Sequence, residues 1–152
     1  MQGPPDQTGY YETVWDIVRQ VPPGQVVTFG QIAAMIPAPE GVELDVYRRI
    51  GPRWVGNAMN AVSFRDEPSV PWHRVINSKG GISLEEGSAP ARRQRARLEA
   101  EDIRFDSKDL VDFDRVGWDG PDDDWLREHG LLKPHSMKTP PEPDVPRQLS
   151  LF

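Results

Sequence analysis

The chain contains no cysteine, which excludes from it disulfides, cysteine-ligated metals and every mechanism that runs through a thiolate. Histidine is nearly as scarce: His73, His129 and His135 are the three present, far apart and without the spacing that gathers ligands around an ion. No metal and no cofactor are expected. Long apolar runs are missing as well. No stretch approaches the roughly 20 residues that span a bilayer, and residues 1–8 lack the basic and apolar pattern of a secretory leader. A soluble, cytoplasmic location without a membrane partner is the expectation. Apolar residues fill only 37% of the 152 positions while 16 are proline, a mixture that suggests one small core and a segment that does not pack.

Positive charge is in deficit overall, with a formal net charge of −6, but the deficit is uneven. Between positions 48 and 97, ten Arg or Lys stand against four Asp or Glu, a local surplus of six that leaves −12 for the remainder. A basic middle in an acidic chain is the footprint of a polyanion contact, because counterion release depends on nearby phosphates and not on total charge. A solvated charged helix over residues 92–97 would look the same.

Apolar spacing supplies the elements. Tyr10, Val14, Ile17, Val18 and Val21 recur helically, and Pro22-Pro23-Gly24 stops that helix in a tight turn. Thr28 and Gln31 form a capping box for a second helix running to about residue 36. Residues 44–50 read as helical, and Pro52 reads as the first residue of a further helix with Val55, Met59 and Val62 on its buried side. Two short helices separated by a turn, the second beginning at Arg53, look like a helix-turn-helix; any small helical bundle offers the same period. An extended segment over 70–77, the Lys79-Gly80-Gly81 turn and a charged helix over 89–101 follow. Ile103, Phe105, Leu110, Phe113, Val116 and Trp118 are expected to close the core.

Three segments then fall in order: Val21-Pro22-Pro23-Gly24-Gln25-Val26-Val27-Thr28-Phe29-Gly30-Gln31-Ile32-Ala33, Arg53-Trp54-Val55-Gly56-Asn57-Ala58-Met59, and Pro71-Trp72-His73-Arg74-Val75-Ile76. Over residues 10–118 this trio resembles the DNA-binding domain of the O6-alkylguanine-DNA alkyltransferases. The fold so implied is mainly α-helical with short extended segments, a winged helix-turn-helix-like domain occupying residues 1–118. The family's N-terminal domain finds no counterpart, as in its alkyltransferase-like branch. In the alkyltransferases the third segment reads Pro-Cys-His-Arg-Val, and the cysteine takes the alkyl group irreversibly. Position 72 is tryptophan here. An indole is no nucleophile at neutral pH, and no cysteine elsewhere can substitute.

The resemblance therefore implies a non-enzymatic sensor. It would bind O6-alkylguanine in double-stranded DNA, flip the nucleotide into a pocket and mark it for nucleotide excision repair proteins. Transfer to Glu85, Glu86 or His73 is the enzymatic alternative, and carboxylates and imidazole are poor acceptors from an alkyl ether. Arg53 matches the arginine that fills the gap left by the everted nucleotide; otherwise it is an ordinary residue near a helix start. Phe29 stands where the family has a tyrosine crowding a phosphate, and is a DNA contact, a pocket residue or core. Trp72 would wall the pocket, with Pro71 and with Ser83 from the loop over 82–88; the alternative is a core tryptophan. Thr28, Asn57, Ala58, Asn60 and Ser78 are the further DNA contacts implied. His73 is expected to hydrogen-bond Glu101, which matches the family's orienting glutamate, and Arg74 to organise the turn. Asn60-Ala61-Val62 replaces the family's Arg-Gly-Asn, so the connection over 63–69 is longer than usual.

Residues 119–152 read as a flexible acidic, proline-rich tail, with a short helix near 125–132. The terminal Gln148-Leu149-Ser150-Leu151-Phe152 resembles the pentapeptide by which bacterial repair proteins bind the β sliding clamp: Gln148 would set register while Leu149, Leu151 and Phe152 fill a groove. An apolar end docked on its own domain is the alternative. A monomer is expected. Two other functions compete: a helix-turn-helix protein that reads sequence, for which Trp54, Ala58 and Ala61 offer few base-edge contacts, and a clamp-tethered adaptor acting through the tail.

Overall fold

The computed structural model describes residues 3–141; the pentapeptide at 148–152 lies outside them. Helix α1 (Gln7–Arg19) starts where the Asp6 carboxylate accepts the Gly9 N–H at 3.1 Å and buries Tyr10, Val14, Ile17 and Val18, the face expected from their spacing. Strand β1 (Val27–Thr28) leads directly into α2 (Phe29–Met35). The capping box is complete: the Thr28 hydroxyl accepts the Gln31 N–H and the Gln31 side chain accepts the Thr28 N–H, both at 3.0 Å. Both residues are thereby committed to the backbone.

Residues 44–60 depart from the expected pair of helices. They form one continuous helix, α3 (Leu44–Asn60), with Pro52 inside it. A proline there removes an intrahelical hydrogen bond and crowds the preceding turn, at about 3 kcal/mol. Packing outweighs that cost. Tyr47, Trp54, Val55 and Ala58 are buried on one face, and Gly51 lies so close to α2 that a Cβ would come within 3.0 Å of the Ala33 Cβ. The rings of Tyr10, Tyr47 and Trp54 meet with centroids 5.7–6.3 Å apart. Tyr47 donates its hydroxyl proton to the Ala33 carbonyl at 2.9 Å, so the 2.8 Å contact between hydroxyls has Tyr10 as donor. The helix-turn-helix is thus α2, the loop over 36–43, and α3.

A single turn of 3₁₀ helix (Trp72–Arg74) precedes β2 (Val75–Ile76). Strands β1 and β2 pair in parallel, Val27 with Val75 and Thr28 with Ile76. Helix α4 (Ala89–Ala100), capped by Ser88, follows the expected bounds. A second small core gathers Val26, Ile76, Leu98, Ile103 and Val111, with Phe105, Phe113 and Val116 packed against it. Two short helices, α5 (Phe113–Val116) and α6 (Asp123–Glu128), complete the described elements.

The segment expected to leave the domain at residue 119 returns to it instead, as far as Thr139, whose N–H and hydroxyl donate to Asp114. Leu126 of α6 enters the main core, the Leu132 N–H donates to the Met35 carbonyl at 2.7 Å, and the Gln31 amide donates to the His135 carbonyl at 2.9 Å. Proline content misled here because Leu126 and these backbone contacts suffice to hold a strap. Among the described residues no helix is long and apolar enough to cross a membrane.

Candidate functional site

The pairing of β1 with β2 places Trp72, at the foot of β2, beside Phe29, the first residue of α2. Between them and the last turns of α3 lies a cavity of about 410 Å³ whose lining includes Phe29, Gly56, Met59, Asn60, Trp72, Ser83 and Arg93. Its size falls within the range of small-ligand sites. The indole is fixed, not loosely packed. Its Nε1–H donates to Glu67 Oε1 at 2.9 Å, the same oxygen receives Arg97 at 2.8 Å, and the Arg97 guanidinium lies 5.3 Å from the Trp72 ring centroid. The Trp72 N–H, followed by Arg97 and Arg93, holds the Glu67 carboxyl below its usual range.

Behind Trp72, Glu101 ties three segments together. Its carboxylate accepts from Arg74 Nη2 at 2.7 Å and Nε at 3.0 Å, from the Gly24 N–H at 2.9 Å and from His73 Nε2 at 2.8 Å. Arg74 reaches on to the Val21 carbonyl at 2.9 Å. Burial pushes the Glu101 carboxyl upward, but Arg74, the Gly24 N–H and His73 outweigh it and set it at about 2. Burial pulls His73 below its ordinary value despite the opposing pull of Glu101, so a neutral imidazole is the form held at neutral pH. Gln94 locks the same turn from α4, donating to the carbonyls of His73 and Val75 at 3.1 and 2.9 Å.

On the outer face of α3, Arg49, Arg53, Asn57 and Asn60 are exposed, spaced so that they fall along one side of the helix. Asn60 also reaches the cavity. Phe29 is half-buried and Ser83 exposed, both on the cavity wall, and Ser78 is exposed in the turn beyond β2. Four residues do not sit as expected. Thr28 is 1% exposed with its hydroxyl spent on the cap. Ala58 is fully buried, its carbonyl accepting the Trp15 indole N–H at 2.8 Å. Pro71 borders a neighbouring cavity of about 500 Å³, shared with Arg19, His73, Arg74 and Arg97, and not the one faced by Trp72. Trp54, weighed above as a base-edge reader, is core. Glu67, Arg93 and Arg97 border these cavities and are not among the residues to which the sequence points. Arg93 and Arg97 were legible only as members of a basic helix, and nothing in the spacing joined Glu67 to Trp72.

The family model described as "6-O-methylguanine DNA methyltransferase, DNA binding domain" matches residues 9–103. The chain belongs to that family. It is 38% identical over 104 residues to Alkyltransferase-like protein 1 of Schizosaccharomyces pombe, covering 68% of this chain and 85% of that protein. It is 30% identical over 112 residues to the DNA base-flipping protein of Escherichia coli, covering 74% and 76%. A crystal structure of S. pombe ATL in complex with DNA superposes with a TM-score of 0.52 at 37% identity, over 68% of this chain and 87% of that one. The mainly helical, helix-turn-helix-like architecture expected from the sequence is that of the family. The match ends at residue 103, so α5, α6 and the returning strap lie beyond it.

Proposed function

We propose that this protein senses O6-alkylguanine in double-stranded DNA without repairing it, gripping the everted nucleotide in the cavity beside Trp72. One observation carries the reading: the motif position that holds sulfur in the alkyltransferases is an immobilised indole facing a cavity, in a chain with no cysteine. The names of the two relatives, one alkyltransferase-like and one base-flipping, support it.

The energetics are consistent with a reversible grip. Everting a base costs a few kcal/mol, less where alkylation has already weakened the pair. Arg53, exposed on α3, would occupy the vacated stack, where a planar guanidinium both stacks and hydrogen-bonds. Stacking on Trp72 returns roughly 1–3 kcal/mol. The carboxylates and imidazole near Trp72 are already engaged: Glu67 and Glu101 by arginines, and His73 by Glu101. Arg49 and Arg53, exposed on α3, would supply phosphate contacts, together with the exposed Asn57, Asn60 and Ser78. The captured lesion would then be passed to nucleotide excision repair proteins, with the peptide at 148–152 tethering the protein to a sliding clamp.

Binding to a duplex carrying one O6-methylguanine and to the same duplex with guanine, at one fixed salt, tests the proposal. A clear preference for the lesion, with no mass added to the protein, is expected. Equal affinities sink the sensor, and a covalent alkyl adduct sinks the non-enzymatic reading. Deleting residues 148–152 should abolish clamp binding and spare lesion binding.

A further inference from the structure

Phe64 is 87% exposed, the most exposed large apolar residue described. A lone apolar side chain on a surface means little by itself; its position decides. It borders both the Trp72 cavity and the neighbouring one, so it stands on the rim between them. The turn that carries it is ordered: the Asp66 and Glu67 N–H groups donate to the Ser63 carbonyl at 3.1 and 2.9 Å, and the Ser63 hydroxyl donates to Asp66 at 3.1 Å. That same turn delivers Glu67 to the Trp72 N–H. The two aromatic residues are therefore coupled through one short turn and one hydrogen bond, at the end of the helix whose outer face bears Arg53 and Asn57.

We propose that Phe64 is a second aromatic surface for the everted base, engaging it at the mouth of the cavity that Trp72 walls. The inference rests on the lesion-sensing reading above. A nucleobase suits this rim because it brings a π face of its own, able to stack on a phenyl ring at the mouth of a cavity already walled by an indole. A backbone phosphate would gain nothing from a phenyl ring.

The test compares a duplex containing O6-methylguanine with an otherwise identical duplex containing an abasic site, which offers the same backbone and no base to grip. Phe64→Ala should weaken binding to the first by about tenfold, within what base–aromatic stacking supplies. Binding to the abasic duplex and the thermal midpoint should be unchanged. Phe64→Leu, which keeps bulk without a π face, should behave as Phe64→Ala does, and Phe64→Trp should restore affinity. Unaltered lesion binding by Phe64→Ala, wild-type binding by Phe64→Leu, or equal losses on both duplexes would overturn the assignment. If the wild-type protein shows no preference for the lesion over guanine, the sensor reading has failed and this inference falls with it. A preserved wild-type preference with an indifferent Phe64→Ala removes the role of Phe64 alone.

Discussion

Replacing Glu101 with glutamine keeps the shape of the side chain and removes its charge. The wild-type carboxylate accepts from four groups: the two Arg74 nitrogens, His73 Nε2 and the Gly24 N–H. A carboxamide must turn its NH₂ toward at least one of those donors. Glu101 and Arg74 are only 15% and 14% exposed, so solvent screens the loss little, and breaking such a pair costs about 3–5 kcal/mol. Proton linkage gives a similar figure. A carboxyl moved from 4.5 to about 2 contributes about 3 kcal/mol of stability. Because the folded value lies below the unfolded one, that contribution is complete above about pH 4.5 and is lost as pH falls toward 2. Urea unfolding followed by tryptophan fluorescence should place Glu101→Gln about 3 kcal/mol below wild type at pH 7, a thermal midpoint lower by roughly 10 °C. The gap should narrow steadily below pH 4.5. Equal midpoints at pH 7, or a gap that persists unchanged at pH 3, would refute the assignment of Glu101 as the charged hub.

Arg53→Ala should weaken lesion binding by more than one phosphate contact, which alone would lower the slope of log K against log salt by about one; an unchanged dissociation constant removes the finger role. Thr28→Ala should cost about 1–2 kcal/mol of stability, as a lost helix cap does, with DNA affinity per folded molecule unchanged. Truncation after residue 118 should lower stability by about 2–5 kcal/mol, the scale of losing one buried leucine, because it strips Leu126 from the core; a truncated protein as stable as the full chain would show the strap to be idle.

Much of the domain was legible because its signals are local. The capping box at Thr28 and Gln31, the apolar period of α1 and the bounds of α4 each depend on neighbours within a turn or two, and each stands in the structure. The pairing of His73 with Glu101 was legible through the motif and is present at 2.8 Å. Errors arose where distant packing overrode a local rule. Pro52 was read as a helix start, yet Gly51 against Ala33 and the buried face of α3 carry the helix through it. Ala58, a DNA contact implied by the resemblance, and Trp54, weighed as a base-edge reader, both lie in the core that α3 shares with α1 and α2. Glu67 was invisible because its meaning depends on a tryptophan and an arginine brought together only by the fold.

On the proposed reading, the arrangement around position 72 also explains how the family's frame can carry a gripping residue in place of a reacting one. His73, Arg74 and Glu101 join the 3₁₀ turn to the end of α4, while the Val21 carbonyl and the Gly24 N–H bind the α1–β1 turn into the same network. Removing any of these charged or hydrogen-bonded groups would strand its partners in a site with little access to water, where an unpaired polar group costs about 1–3 kcal/mol. These groups therefore serve folding stability whatever the side chain at position 72 does. The side chain at position 72 is under no such constraint from this network, since its own partners, Glu67 and Arg97, are a separate set. On the proposed reading, the chemistry at that one position can change from bond-making to gripping while the frame that aims it stays fixed.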